Sequence, residues 1–273
     1  MIPLGPRPKT AFTEAFFEVA AKQDPKPRTI AIVAGDGEAT HFIAEGAREN
    51  AKKFGLEIVY DQTYPLSTAD LTPLARSLKA KNPELVLISS YPIDSVAMVR
   101  AINEIGFTPK LVGGAMNGIP SPGLKAQLGP LLNGFVNYEF WLPVGDLDTP
   151  EAKDLVNRYR ERAVGQGVDP VGLYLPPWAY SYIQILGEAI KGTNSLDDGK
   201  IADYIRKTTF STMVGKVKFG PSGEWDQSRM LLVQYRGVKG NDINQFKDLS
   251  TFEILWPAKY ATGKAIYPYE KAK

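Results

Sequence analysis

Short apolar runs alternate along the first half of the chain with longer stretches in which apolar positions recur every three or four residues. Thr29-Ile30-Ala31-Ile32-Val33-Ala34 reads as a buried strand, and Glu38 to Phe54 as an amphipathic helix ended by Gly55. Leu56-Glu57-Ile58-Val59-Tyr60 predicts a second strand and Ala69 to Lys81 a second helix, with Asp70 near its start. Leu85-Val86-Leu87-Ile88-Ser89-Ser90 is almost wholly apolar, the pattern of a central strand; Ile93 to Ile105, stopped by Gly106, and the strand Lys110-Leu111-Val112-Gly113-Gly114 follow. Strands alternating with helices of this length predict βαβ units, hence an α/β fold with a parallel sheet and helices on both of its faces.

The pattern differs elsewhere. A helix from Ala11 to Ala21 comes first, after Pro3, Pro6 and Pro8, which stiffen the segment leading into it. After Gly134 an aromatic, strand-like run, Phe135 to Trp141, leads into three helical stretches with no strong strand between them: Pro150 to Ala163, Pro176 to Lys191 and Asp197 to Lys207. Both prolines stand where a first helical turn tolerates them. β character returns at Lys216 to Phe219, Met230 to Tyr235 and Phe252 to Trp256, with turns at Gly220-Pro221-Ser222-Gly223 and Gly240-Asn241-Asp242.

Composition narrows the chemistry. The 273 residues are 44% hydrophobic and 23% charged, those of an ordinary globular chain. A net charge of +2 is too small for a nucleic-acid-binding stripe. With no Cys and one His, disulfides, thiolate nucleophiles and multi-His metal sites are removed, and no metal or cofactor is expected. No apolar run approaches the roughly 18 to 20 residues that cross a bilayer, and Met1 to Pro8 lacks the apolar core of a signal peptide.

Candidate chemistry gathers behind the predicted strands. Gly35-Asp36-Gly37-Glu38-Ala39-Thr40 has the position of a phosphate-cradling loop, but Thr40 stands where a dinucleotide fingerprint has its third glycine; a tight strand-to-helix turn is the competing reading. His41, next in line, is either a ligand contact or a polar residue at a helix start. Ser89-Ser90-Tyr91-Pro92-Ile93-Asp94-Ser95 lies at a strand's carboxyl end, where hydroxyls and free helix N–H groups suit a carboxylate. It serves equally as a capped turn, with Asp94 and Ser95 as caps. Gly113 to Gly118 ends the next strand on the same edge, with Met116 and Asn117 as lining candidates, and Tyr138, Phe140, Trp141, Tyr174, Trp178 and Tyr180 are either an apolar wall or core. Asp146, Asp148, Asp197 and Asp198 read as caps or solvated charges, not as an acid/base pair or metal cage.

The order of elements and the runs Tyr64 to Leu71, Leu85 to Tyr91 and Val217 to Glu224 resemble the solute-binding proteins of branched-chain amino-acid-type ABC transporters. The resemblance covers essentially the whole chain. It implies the type I periplasmic-binding-protein fold: two Rossmann-like lobes with parallel sheets, three crossings, and ligand in a cleft that closes by a hinge. Against that template the chain starts late, so the first lobe is expected to be incomplete, and an incomplete lobe implies dimerisation through uncovered helix faces. The expected division is residues 1–8 as first crossing, 9–136 with 217–260 as lobe two, 140–212 as the helical remainder of lobe one, and 261–273 as a tail.

By resemblance the function is that of a non-enzymatic, periplasmic receptor that hands a small-molecule ligand to a membrane permease; a ligand-sensing domain of a regulator is the alternative. Tyr91 matches the family's aromatic at the third strand end. The tyrosine that amino-acid binders carry after the first lobe-two strand falls on Ala39, and the acidic partner of the ligand ammonium falls near Ala115, where no carboxylate stands. An unpartnered buried ammonium costs several kcal/mol, so the expected ligand is an apolar or aromatic organic acid in preference to a standard amino acid. Expected contacts are Ala39, Thr40, His41, Ser90, Tyr91, Ala115, Met116 and Asn117, with Tyr138 and Phe140 coupling ligand to hinge.

Overall fold

The computed structural model describes residues 5–272. In chain order the elements are α1 (Pro8–Ala21), β1 (Thr29–Gly35), α2 (Glu38–Lys53), β2 (Glu57–Tyr64), α3 (Thr72–Lys81), β3 (Leu85–Ser90), α4 (Pro92–Glu104), β4 (Leu111–Met116), α5 (Pro122–Leu128) and β5 (Val136–Glu139). They continue with α6 (Pro150–Ala163), α7 (Pro176–Thr193), α8 (Asp198–Lys207), β6 (Phe210–Thr212), β7 (Gly215–Val217), β8 (Leu231–Tyr235) and β9 (Phe252–Trp256). The glycine stops behave as the sequence implies. Gly55 and Gly106 take positive φ, and each helix ends with paired bonds, Gly55 N to Lys52 O with Leu56 N to Ala51 O, and Gly106 N to Asn103 O with Phe107 N to Ile102 O. Helix α3 starts later than its apolar pattern because Asp70 Oδ1 accepts the Thr72 N–H at 2.8 Å, closing a turn ahead of Pro73.

The chain divides into two compact units, Lys9–Glu139 with Leu231–Lys273, and Met1–Pro8 with Phe140–Met230. The larger unit carries a seven-stranded sheet in the order β2-β1-β3-β4-β5-β8-β9. Strands β1 to β5 run parallel, and β8 and β9 add an antiparallel edge. All of β3 and β4 is buried, as a sheet covered on both faces requires. Going from β1 to β2 and then back to β3 reverses the winding, so right-handed crossovers put α2 on one face and α3 with α4 on the other. On the first face Phe16, Phe17 and Ala20 of α1 and Ala44, Ala47 and Ala51 of α2 pack over Ile30, Ile32, Leu85, Leu87 and Leu111.

The smaller unit contains α6, α7, α8 and the two-stranded β6-β7 hairpin. Thr149 caps α6 by accepting the Ala152 N–H at 3.1 Å, and Asp197 caps α8 by accepting that of Lys200 at 2.9 Å. The run Lys216 to Phe219 forms only the short β7 because Phe219 turns back to bridge Trp225 across the Gly220–Gly223 turn. Trp225 in turn packs on Trp178, so residues 217–230 gather with this unit. The last residues belong to the larger one, where Tyr269 is buried edge-on against Phe135 at 5.4 Å. No helix among the described residues is long and apolar enough to cross a membrane.

Candidate functional site

Where the winding reverses, between β1 and β3, the chain leaves the two strands in opposite directions and opens a crevice at their carboxyl ends, the place at which open α/β sheets bind ligands. The segments that border it are Gly35 to His41 and Ser90 to Ser95; Met116 and Asn117 lie on the same edge beside β3, and Glu139 beside β4. Tyr91 spans the reversal. A Cβ on Gly37 would lie 2.7 Å from the Tyr91 ring, so the ring rests on the glycine that caps α2.

Below this rim the polar groups are spent on the fold. The buried Thr40 hydroxyl donates to Gly35 O at 2.5 Å and Gly37 O at 2.8 Å, tying the β1–α2 turn to the helix, and Ser89 Oγ donates to Thr40 O at 3.2 Å. Ser95 Oγ gives its proton to Tyr91 O at 2.6 Å, so Ser90 Oγ is the donor in the 2.7 Å contact between the two hydroxyls. Asn137 brackets Met116: its Oδ1 accepts Met116 N–H at 2.9 Å and its Nδ2 donates to Met116 O at 3.1 Å. Tyr138 OH donates to Asn117 Oδ1 at 3.0 Å, with its ring edge-on to Phe12 at 4.8 Å.

Four carboxylates stand on this edge; Glu38 is exposed on the first turn of α2, and the other three are held by the chain itself. Asp36 Oδ1 meets His41 Nε2 at 2.8 Å in an exposed pair. Asp94 is buried and accepts from Tyr64 OH at 2.7 Å. Burial pushes its carboxyl up from the usual range, against the opposing effects of Tyr64 and of the N–H groups of Tyr91, Asp94 and Ser95. The Tyr64 phenol is raised as well, first by burial and then by the Asp94 hydrogen bond and charge. Glu139 forms a buried pair with Lys125 at 2.5 Å and accepts from Tyr235 OH at 3.0 Å. Among the described residues no group of three or more His, Asp or Glu could hold a metal ion.

The structure thus brings together nine of the residues singled out from sequence, at different depths. Ala39, His41, Tyr91 and Asn117 are exposed or half-buried at the rim, while Thr40, Ser90, Ala115, Met116 and Tyr138 are buried behind it. Phe140 belongs to the other unit, where it stacks on Tyr174 at 6.0 Å and meets Trp178 edge-on at 6.2 Å. Asp94 is not the cap that the sequence suggests: the N-cap is Tyr91, and Asp94, two positions after Pro92, takes the Tyr64 phenol. Sequence reasoning also passed over Tyr64 and Asn137. Tyr64 could have been found as the last aromatic of β2, which runs four residues past its apolar part at Tyr60.

A family model described as periplasmic binding protein matches residues 1–241. A Leu/Ile/Val-binding protein homolog 8 of Brucella abortus is 25% identical over 228 residues, covering 80% of this chain and 54% of that protein. The chain therefore spans about half the length of the curated relatives it matches. Among solved structures, a leucine-binding protein of Thermotoga maritima superposes with a TM-score of 0.70 at 20% identity, over 90% of this chain and 64% of that one. A solute-binding protein of Rhodopseudomonas palustris, solved with 3,4-dihydroxybenzoic acid, has a TM-score of 0.68 at 16% identity, over 95% and 66%. With a strand reversal that opens a crevice and a family match over most of its length, the chain belongs to the periplasmic binding proteins.

Proposed function

We propose that the chain is the ligand-receiving part of an extracytoplasmic receptor that captures a small amino acid or an apolar or aromatic organic acid and delivers it to the permease of an ABC importer, with no chemistry of its own. The observation that carries this reading is the rim at the β1/β3 reversal, where Tyr91 lies on Gly37 beside the half-buried Asn117. In the proposed complex Tyr91 stacks on the ligand, Ala39, His41 and Asn117 border it, and Thr40, Ser90, Ala115, Met116 and Tyr138 hold the rim in shape. The names of the relatives, Leu/Ile/Val-binding proteins and a dihydroxybenzoate complex, support the two ligand classes.

Between those classes we favour the organic acid. A ligand ammonium needs a desolvated carboxylate; Glu38 stands exposed on the first turn of α2, where water screens an ion pair, and Asp36, Asp94 and Glu139 are engaged with His41, Tyr64 and Lys125. Breaking into such a pair leaves a charge or polar group unmatched. Calorimetric titration with leucine, phenylalanine, benzoate and a branched 2-oxo acid tests the reading, with binding expected for the acids and loss of at least about ten-fold in affinity for Tyr91→Ala, the scale of one aromatic contact. Tight leucine binding with none for the acids would reverse the preference, and no binding of any of the four would remove the receptor reading.

Self-association is a separate part of the proposal. Tyr180, Ile183 and Leu186 of α7 are exposed apolar side chains on an already amphipathic helix. Light scattering on the purified chain is expected to give a dimer, and a monomer across the micromolar range would refute it.

A further inference from the structure

Asn117, half-buried on the rim, is held by the fold at its backbone and at one end of its side chain. It stands one position beyond the paired Ser90 and Met116, beside Tyr91, and its N–H donates to Ser90 O at 2.9 Å. The turn behind it closes with Ile119 N–H to Met116 O at 3.1 Å, and Gly118 lets that turn sit on α4, since a Cβ there would lie 2.5 Å from Pro92 Cα. The amide is fixed as well. Its Oδ1 accepts from Tyr138 OH at 3.0 Å, and the Tyr138 ring is itself held edge-on to Phe12 at 4.8 Å. With the oxygen taken, Nδ2 finds no acceptor among the described residues, so the free end of Asn117 carries two N–H donors and no lone pair.

We infer that the Asn117 amide, turned donor side outward by Tyr138, receives the ligand's carboxylate and makes the crevice discriminate against ammonium ligands. The inference rests on the receptor reading above and supplies the polar determinant that reading lacks; every residue it uses belongs to the larger unit. The neighbouring rim groups do not discriminate in this way. A tyrosine hydroxyl such as that of Tyr91 donates or accepts, and His41 is paired with Asp36. A carboxylate oxygen takes an Nδ2 N–H in a charge-assisted bond, with the ligand's ring toward Tyr91, whereas an ammonium sets donors against donors and leaves both unmatched. Tyr138 is a positioning residue: it touches no ligand and acts by keeping the amide oxygen turned away.

The test is calorimetric titration of the full chain with benzoate, benzylamine and leucine, with a thermal melt to show that each variant is folded. The first two compounds share an aromatic ring and carry opposite charges. The wild type is expected to bind benzoate at least about ten-fold tighter than benzylamine. Asn117→Asp keeps an oxygen for Tyr138 and replaces the outward amino group with a second oxygen, so it should invert that order. Asn117→Leu, which removes the donors without adding charge, should weaken benzoate several-fold and leave benzylamine unchanged. Tyr138→Phe frees the amide to turn over and should shrink the ratio of the two affinities, which a loss of packing alone would not do. A wild type with no preference for benzoate overturns the inference, as does a folded Asn117→Leu that keeps the preference or a Tyr138→Phe with an unchanged ratio. Leucine binding that is indifferent to Asn117→Asp overturns it and leaves the receptor reading standing, whereas failure of all three compounds to bind removes both.

Discussion

Gly37 has an extended backbone, φ −149° and ψ 158°, that any residue adopts, so its value lies in the space it leaves. A methyl there would sit 2.7 Å from the Tyr91 ring. Gly37→Ala is therefore expected to swing Tyr91 off the rim and weaken ligand binding about as much as Tyr91→Ala, with a melting temperature within about 2 °C of wild type, since a half-buried ring at the rim has room to move outward; calorimetry and a thermal melt on the same sample check this. Asp94 gives a pH signature. Its carboxyl is raised in the folded chain, mainly by burial, so the folded state holds more protons than the unfolded one across the interval above the ordinary carboxylate value. The Asp94 contribution is thus fully present at low pH and is lost as pH rises through the raised value. Asp94→Asn should flatten that decline, so that the wild type's advantage over the variant shrinks from pH 4 to pH 7 in paired denaturant melts. The composition of the rim was legible from strand ends alone, because Ser90, Tyr91 and Asn117 must stand where β3 and β4 stop. The Asp94–Tyr64 bond was not, since its members are thirty positions apart and only the β2–β1–β3 order brings them together.

Elements with an unbroken apolar run or a proline start announced themselves, whereas β2, the longest strand, was read only as far as its apolar part at Tyr60. Strands β3 and β9 and helix α6 span the residues their patterns define, because burial on both faces or a Pro-started amphipathic turn leaves little latitude. Short elements did not: α5 and the three-residue β6 carry too few periods to stand out from loops, and they owe their form to neighbours. Two contacts between elements invite tests. At Gly46 a methyl would lie 1.9 Å from Lys9 O, a backbone atom, so Gly46→Ala must push α1 away from α2. The expected loss is about 1–3 kcal/mol in urea unfolding, although alanine is the better helix former. The buried Lys125–Glu139 pair, with Lys125 also over the Tyr235 and Phe246 rings, links α5 to the end of β5. Lys125→Met leaves a buried carboxylate and should cost about 3–5 kcal/mol, while the double change Lys125→Met with Glu139→Leu should recover most of it. Additive losses in that cycle would mean that the two charges do not depend on each other.

At the scale of the molecule the two units differ in what holds them. The larger has a seven-stranded sheet with apolar helices on its faces, while the smaller has, among the described residues, three α-helices and a two-stranded hairpin. Hydrogen exchange is expected to open the smaller unit at lower free energy, with the amides of β1, β3 and β4 the last to exchange; uniform protection across both would contradict this. The α/β class, and the contrast between a strand-rich and a helical block, could be read from periodicity. The exact boundary could not, because residues 217–230 follow Trp225 into its aromatic packing and Tyr269 carries the last residues back to the sheet. That return has a consequence for synthesis. Strand β5 needs β8 on its free side, yet residues 140–230, the smaller unit, must be translated in between. At about 5–20 residues per second the ribosome leaves Val136 to Glu139 as an open sheet edge for on the order of ten seconds. During that interval the nascent chain carries an uncovered strand and a buried-to-be glutamate, and the sheet begun by β1 to β5 is finished only by β8 and β9.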